Sequence, residues 1–266
     1  MNISIIMSDN TYTYNTHFGK ITLYQNELFI GTSFRENKYW DEDTLWKLKE
    51  FIDPNRNILE IGGHCGTSTI VYASFLNPDN KIYVYEPQKN LYKLLVQNIN
   101  QNDLQDRILP YNKGVFCYNG KGNMHDRDED GWLGNVKKRY EEEIEQGCNF
   151  GGIGLGKDGE EIELIKIDDM ELENIGFIHC DAQGAESFIF AKGLETIKKH
   201  RPIIYYEDMS QETGVAAKVM FQNICEQYPQ YKGESEFDIK KYCIENLGYS
   251  KCIDRFNDGI DCLLIP

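Results

Sequence analysis

The stretch from Asn57 to Phe75, NILEIGGHCGTSTIVYASF, constrains the fold more than any other part of this 266-residue chain. It reads as a buried strand that ends at Ile61, a glycine-rich turn, and a helix. Such turns bring backbone amides and a helix N-terminus close to a ligand, which favours a bound carboxylate or phosphate. The turn and the start of the helix therefore supply candidate cofactor-binding residues, namely Gly62, Gly63, His64, Gly66, Thr67 and Ser68.

An acidic residue after the next strand strengthens this interpretation, because glycines alone could mark only a tight connection. A second apolar run, from Lys81 to Tyr85, ends in Glu86 and Pro87. In a doubly wound sheet this carboxylate lies at the C-terminal edge of the neighbouring strand, where it can accept both hydroxyls of a ribose. Two classes share this geometry, the dinucleotide-binding dehydrogenases and the S-adenosylmethionine-dependent methyltransferases.

The glycine spacing separates the two classes. A dinucleotide fingerprint needs G-x-G-x-x-G, whereas here the glycines are Gly62, Gly63 and Gly66, with the acidic Glu60 before the turn. A carboxylate at that point would repel a pyrophosphate but can orient the amino group of a methionine moiety. The turn therefore favours the methyltransferase class over a dinucleotide-dependent oxidoreductase.

Composition limits the partners and the compartment. The chain has 28 basic and 43 acidic residues, a formal charge of −15, which repels nucleic acid phosphates and anionic membrane surfaces. Its eight cysteines form no C-x-x-C pair, so we expect core thiols rather than disulfides or zinc ligands. The N-terminus lacks the pattern of a signal peptide, and no apolar run reaches the roughly 18 residues of a membrane span. These features predict a cytoplasmic protein that binds neither nucleic acid nor membrane.

The order of apolar runs predicts the domain organisation. Residues 1–40 read as a short N-terminal β extension, and residues 41–266 as one α/β domain with strands and helices in alternation. We expect a doubly wound, Rossmann-like sheet of seven strands, mostly parallel, with helices on both faces. An insertion at about 118–159 interrupts the alternation with glycine-rich ends around a charged stretch, Val136 to Glu145, that could form an exposed helix. It is either a solvated insertion or a lid over the acceptor.

The last third of the chain completes the predicted sheet. The alternation resumes with a strand at Ile162 to Ile167, and a further strand ends at Asp181 before a helix from about Ala185 to His200. The turn Asn257-Asp258-Gly259 lies between two apolar runs, which is a strong hairpin signal. The last strand should therefore run antiparallel to its predecessor.

The segment Phe177 to Glu207, FIHCDAQGAESFIFAKGLETIKKHRPIIYYE, resembles the FkbM family of S-adenosylmethionine-dependent O-methyltransferases. In that family a strand ends in a segment like KIDVEGAE, followed by a helix, an Arg-Pro pair and a strand with an acidic end. Here His179 stands at the family's Lys and Gln183 at its first Glu. These two departures leave two alternatives: the role of that lysine is in doubt here, or the imidazole of His179 has taken it over.

The resemblance implies positions for the cofactor, S-adenosyl-L-methionine. Glu86 would hold the ribose, Gly114 and Val115 would lie near the adenine, and Asp181 would lie below the methyl donor. The methionine half would be surrounded by residues of the strand and turn, namely Glu60, Gly62, His64, Gly66 and Ser68. The loop EIGGHCGTS also looks like the catechol O-methyltransferase version of this loop, in which the final Ser, here Ser68, holds the methionine carboxylate.

Methyl transfer to a hydroxyl needs a general base or a metal ion. Asp181 is the best candidate for either role, although it could also be a helix N-cap. His179 could act as the base, or be a hydrogen-bonded core residue. Glu207 and Asp208 could join Asp181 around a divalent cation such as magnesium, or be solvated carboxylates.

Three functions stay open at this point. The first is O-methylation of a hydroxyl on a sugar, glycan or other small molecule. The second is a dinucleotide-dependent oxidoreductase, and the third is a non-catalytic cofactor-binding interaction module.

Overall fold

The computed structural model describes residues 11–126, 147–208, 215–256 and 260–266, with side chains of the third range described from residue 219 onward. The predicted helix at 136–145 and the turn at 257–259 lie outside these residues. The strands follow in chain order: β1 Thr11–Thr16, β2 Gly19–Tyr24, β3 Asn57–Ile61, β4 Ile82–Tyr85, β5 Ile108–Tyr111, β6 Gly114–Val115, β7 Gly120–Met124, β8 Leu155–Gly156, β9 Glu161–Ile165, β10 Ile175–Cys180, β11 Ile203–Glu207, β12 Lys251–Ile253 and β13 Asp261–Ile265.

Helices connect most of these strands. In chain order they are α1 Ile30–Arg35, α2 Glu42–Lys49, α3 Thr67–Phe75, α4 Lys89–Gln101, α5 Glu186–Phe190, α6 Leu194–His200, α7 Val215–Gln227, α8 Lys232–Ser235 and α9 Ile239–Leu247. The sequence predicts a single helix from 185 to 200. The structure has two helices there, α5, which ends at Phe190, and α6, which begins after Gly193. Within the described residues, none of the helices is long and apolar enough to cross a membrane.

A seven-stranded sheet forms the centre of the fold, in the order β12-β13-β11-β10-β3-β4-β5. Strands β3, β4, β5, β10 and β11 run parallel, and β13 is antiparallel to both β11 and β12. The α/β class and the mostly parallel sheet are therefore confirmed, as is the antiparallel last strand. Strands β3 and β4 are buried along their whole length, as expected for parallel strands covered on both faces.

The strand order reverses at β3, and this determines where a ligand can bind. From β3 the chain proceeds through β4 to β5 on one side, and it returns to β10 and β11 on the other. Because crossovers are right-handed, α3 and α4 belong to one face of the sheet and α5 and α6 to the opposite face. The reversal leaves a crevice at the carboxyl ends of β3 and β10.

A second sheet was not foreseen from the sequence. Four strands form it, in the order β6-β9-β7-β8. The run at 162–167, expected to continue the alternation of the main sheet, instead pairs as β9 with β6 and β7. Residues of the predicted insertion thus form β structure, and their side chains Met124, Phe150 and Leu155 are buried.

A buried amide is among the groups that hold the N-terminal hairpin on the main domain. Asn98 of α4 accepts the backbone N–H of Thr22 at 2.7 Å and donates to the Thr22 carbonyl at 3.0 Å. The same amide nitrogen donates to the carbonyl of Cys65 at 2.7 Å. Asn98 therefore connects the β1–β2 hairpin with the glycine-rich turn.

Candidate active site

A cleft of about 730 Å³ opens at the crevice between β3 and β10. It has walls from the turn after β3, the end of β4, β6 and the segment after β10. Seven predicted site residues line it, namely Gly62, His64, Glu86, Pro87, Gly114, Val115 and Asp181. Other predicted site residues are not part of its lining, namely Glu60, Gly63, Gly66, Thr67, Ser68, His179, Glu207 and Asp208.

Close backbone contacts hold the glycine-rich turn against β10 and β4. Gly62 has a φ of +87°, and a Cβ at this position would be 1.9 Å from the carbonyl oxygen of Asp181. The amides of Gly62 and Gly63 donate to the carbonyl of Tyr85 at 2.9 and 3.0 Å, and the amide of Gly66 donates to Gly63. The expectation that these amides face a ligand is therefore wrong. The glycines are needed for close approach of neighbouring strands.

Glu86 is 3% exposed and accepts two backbone hydrogen bonds. Its Oε2 accepts the amide of His64 and its Oε1 the amide of Gln88, both at 2.8 Å. Burial raises the pKa of Glu86 to about 8, although the two amides oppose this. Each oxygen keeps acceptor capacity toward the cleft. Glu86 is therefore held rigidly at the position where the sequence predicts a ribose.

Gln88 also lines the cleft and was not predicted as a site residue. Its side-chain amide donates to the Phe150 carbonyl at 2.9 Å, which connects the end of β4 to the far end of the insertion. Its place two residues after Glu86 is the one signal in the sequence that could have indicated it.

His64 lies at the floor of the cleft with a positive φ of 48°. Its Nδ1 is 3.1 Å from the Cys65 sulfur, and its buried Nε2 has no hydrogen-bond partner among the described residues. Burial lowers the pKa of this imidazole to about 4, so the ring is neutral near neutral pH. The ring is therefore a neutral part of the cleft lining, and its Nε2 lies buried beside Gly151.

A buried carboxylate and an imidazole form a pair behind the cleft lining. Glu60 is fully buried, accepts a hydrogen bond from the Ser68 hydroxyl, and lies with Oε1 3.5 Å from Nδ1 of His179. The Tyr72 hydroxyl is 3.2 Å from the same nitrogen. The Ser68 hydroxyl is thus directed at Glu60, and its role toward a methionine carboxylate stays a prediction. Oε2 of Glu60 has no partner within the described part of the chain.

Carboxylates around His179 set its protonation. Burial alone would lower the pKa of His179, but the hydrogen bond and charge of Glu60, with the charges of Asp181 and Asp261, raise it above its usual value. Burial raises the pKa of Asp261 to about 6, where Tyr205 opposes the shift by a hydrogen bond. The charge of Asp41 also acts on His179. Neither Asp41 nor Asp261 was predicted, because segments far apart in the chain bring them here.

Asp181 contacts an amide that also faces Glu207. The Gln183 side-chain nitrogen donates to Asp181 Oδ1 at 2.8 Å and approaches Glu207 Oε2 at 3.5 Å. A donor group thus lies between the two carboxylates predicted to share a cation. Asp208 follows Glu207 directly and so faces the other side of the strand, where its Oδ2 is 3.6 Å from the Cys262 sulfur. The predicted cluster of Asp181, Glu207 and Asp208 is therefore not formed.

Asp181 is not the cap of the helix that follows it. The backbone N–H of Ala182 donates to the Glu186 side chain at 2.8 Å, and no side-chain cap is made at Ala185, before α5. Burial raises the pKa of Glu186 to about 8. The Asp181 side chain is left at the cleft, bound to Gln183.

Both described ends of the insertion line this cleft. Met124 lies on one end, and Gly151, Ile153 and Leu155 lie on the other, opposite Glu86 and Gly114. The ends of the insertion thus form part of the cleft, and its role as a lid over the acceptor stays a prediction.

The geometry defines an α/β protein with a ligand cleft at the reversal of strand order. A family model described as "Methyltransferase FkbM domain" matches residues 60–249, which is more than half of the chain. The chain belongs to the FkbM family of methyltransferases. No curated protein matches it.

Several solved structures show a partial likeness to this chain. A methyltransferase FkbM from Methylobacillus flagellatus is 12% identical over 81% of this chain, with a TM-score of 0.46. This chain spans 44% of that protein. An O-methyltransferase from Bacillus cereus in complex with SAH is 16% identical over 84% of this chain and 79% of its own, with a TM-score of 0.42. TomG, an O-methyltransferase from Streptomyces achromogenes in complex with SAM, is 12% identical over 84% of this chain and 77% of its own, with a TM-score of 0.41.

Proposed function

We propose that this chain is an S-adenosylmethionine-dependent O-methyltransferase that acts on a hydroxyl of a sugar, glycan or other small molecule. In this proposal, the order of the seven strands and the single antiparallel strand, β13, are those of a class I methyltransferase. The observation that carries it is the adjacency of two sites. A cleft lined by Glu86 and His64 adjoins a group of carboxylates around His179 at the ends of β3 and β10, and Asp181 belongs to both.

The cleft suits S-adenosylmethionine by its donor set. Glu86 and Gln88 offer polar atoms for a ribose, while Val115, Leu155 and Ile162 offer an apolar wall for an adenine. Gly62 and His64, which also line the cleft, would lie beside the methionine half. When bound, this cofactor supplies a methyl group on a sulfonium sulfur.

His179 is the residue we propose to remove the acceptor proton. Glu60 and the Tyr72 hydroxyl both face Nδ1. A carboxylate there favours the tautomer with hydrogen on Nδ1, which leaves Nε2 to accept a proton. Asp181 and Asp261 would stabilise the imidazolium that forms and accept hydrogen bonds from neighbouring acceptor hydroxyls. This arrangement needs no cation between Asp181 and Glu207, where the Gln183 amide lies.

Two measurements test the proposal together. Calorimetry should detect binding of S-adenosylhomocysteine and not of NAD, and transfer of labelled methyl should occur to at least one member of a panel of hydroxylated acceptors. We expect turnover to be insensitive to EDTA. Binding of NAD alone would support the oxidoreductase instead. Binding of S-adenosylhomocysteine with transfer to amine but not hydroxyl acceptors would overturn the O-methyl assignment.

A further inference from the structure

A cluster of two thiols and one carboxylate lies at the edge of the main sheet, where β12 pairs with β13. It consists of Cys252, Asp254 and Cys262, whose ligand atoms all lie within 4.8 Å of one another. All eight cysteines are free, and the six outside this cluster have no such grouping among the described residues. The expectation of core thiols thus fits Cys65, Cys117, Cys148, Cys180 and Cys243, which are buried, better than it fits Cys252.

Distances within the cluster match those between the ligands of a tetrahedral zinc ion. The sulfur atoms of Cys252 and Cys262 lie 3.3 and 3.5 Å from Oδ1 of Asp254. Zinc bonds of about 2.3 Å to sulfur and about 2.0 Å to oxygen, at tetrahedral angles, separate the two atoms by about 3.5 Å. The three groups can therefore bind one ion without rearrangement of the strands.

Asp208 lies beside the cluster but is not part of it. Its Oδ2 lies 3.6 Å from the Cys262 sulfur, and its residue is 9% exposed. It approaches from the end of β11, whose Tyr206 pairs with Cys262. Its oxygens are not within 4.8 Å of all three ligand atoms, so the described residues supply three protein ligands, and a water molecule can complete the tetrahedron.

Lys240 provides support around this ligand set. Its ammonium from α9 contacts both oxygens of Asp254, at 2.5 and 2.7 Å. This ammonium therefore shares Oδ1 with the two sulfur atoms, and its charge offsets part of the negative charge of the ligands.

A disulfide fits these two cysteines less well. The register pairs Cys252 with Leu264 and Ile253 with Leu263, so Cys252 lies diagonally across from Cys262. Diagonal neighbours on paired antiparallel strands have Cα atoms about 7–8 Å apart. A disulfide needs about 4.4–6.8 Å. An ion that joins the sulfur atoms at about 3.8 Å needs no such approach of the strands.

We propose that Cys252, Asp254 and Cys262 bind a single Zn²⁺ ion that connects β12 to β13. The site has a structural role, because its three protein ligands lie outside the lining of the cleft. It is independent of the proposed methyl transfer.

Cobalt is the probe for the test, since tetrahedral Co²⁺ bound to thiolates absorbs visible light. The full chain, reduced and treated with a chelator, is titrated with Co²⁺ and then with Zn²⁺. We expect one Co²⁺ per chain with a visible spectrum and a thiolate charge-transfer band, both removed by Zn²⁺. Zn²⁺ should also raise the melting temperature. A colourless titration at saturating Co²⁺, or formation of a disulfide in place of metal uptake, would overturn the proposal.

Variants identify the ligands. Cys252→Ser and Asp254→Asn change side chains that are at least partly exposed, so both proteins should fold. We expect each to weaken Co²⁺ binding at least tenfold and to lose the zinc-dependent rise in melting temperature. Cys225→Ser is the matched control, because Cys225 is also half-buried but lies on α7 outside the cluster. Equal Co²⁺ affinity in Cys252→Ser and Cys225→Ser would contradict the assignment.

Discussion

The pKa values of ionisable groups are shifted by different causes on the two sides of the cleft. On the β4 side, Glu86 and His64 have only amides or a thiol as partners, and burial raises the pKa of the first to about 8 and lowers that of the second to about 4. On the β10 side, His179 is equally buried, yet Glu60, Asp181 and Asp261 raise its pKa. Burial dominates where charges are isolated, and charge pairing dominates where they are clustered.

We expect this difference to assign ligand binding to the β4 side of the cleft and proton removal to the β10 side. Near neutral pH the β4 side presents uncharged polar groups, which suit a ribose and an adenine. The β10 side places carboxylates around the His179 imidazole, whose neutral form can remove a proton from a hydroxyl and whose charged form the carboxylates stabilise. The four predictions below test this division, from the largest expected effect to the smallest.

Loss of the imidazole should affect chemistry alone. We expect His179→Gln to lower kcat by about 10²–10⁴-fold, the scale of general acid-base catalysis, while the Kd of S-adenosylhomocysteine changes little. Steady-state kinetics and calorimetry measure the two quantities. His200→Gln is the matched control, since His200 ends α6, outside the cleft lining. A wild-type kcat in His179→Gln would transfer the role of base to Asp181.

Gly62 is the point where the two sides meet. We expect Gly62→Ala to lower the free energy of unfolding by roughly 2–4 kcal/mol, because it places a Cβ on the Asp181 carbonyl and a non-glycine residue at φ +87°. Urea unfolding measures this. In Gly233→Ala the added Cβ has open space in α8, so its stability should match the wild type. Equal free energies of unfolding for Gly62→Ala and Gly233→Ala would mean that the ends of β3 and β10 are not held at the close distance between Gly62 and the Asp181 carbonyl.

Removal of the Glu86 carboxyl should affect binding alone. Glu86→Ala leaves ligand hydroxyls and two backbone amides without their acceptor, at a cost on the order of 1–3 kcal/mol. We expect the Kd of S-adenosylhomocysteine to rise by roughly 5–150-fold. Glu86→Gln keeps one acceptor oxygen and should fall between Glu86→Ala and the wild type. An unchanged Kd in Glu86→Ala would place the ribose elsewhere.

The two histidines should change stability with opposite dependence on pH. Because the folded pKa of His64 is lowered from 6.5 to about 4, its contribution to stability is present above pH 6.5 and is lost as pH falls through that window. The folded pKa of His179 is raised, so its contribution is present below pH 6.5 and is lost as pH rises through the raised pKa.

Urea unfolding across this pH range should reveal the contrast. We expect His64→Asn, which suits the left-handed backbone, to reduce the loss of stability in acid by on the order of 1 kcal/mol. His179→Gln should instead reduce the loss of stability on the alkaline side. The same sign of change in both variants would show that the two sides of the cleft do not differ.

Local sequence determined the parts of this protein that depend on short-range patterns. Apolar runs with turn residues between them gave β3, the glycine-rich turn, α3 and β4 in the right order. The position of Glu86 followed from these, because the residue after a buried parallel strand lies at its carboxyl end. The Asp-Gly signal correctly predicted that β13 is antiparallel to β12, although the turn itself lies outside the described residues.

Tertiary structure alone decided which polar atoms are free and which groups carry charge. The Ser68 hydroxyl is directed at Glu60, and Gln183 separates Asp181 from Glu207. The charged group around His179 joins residues 41, 60, 181 and 261, whose separation in the chain leaves no local pattern. A hydrogen bond or a pKa depends on distances between such residues, and those distances exist only once the sheet has brought the strand ends together.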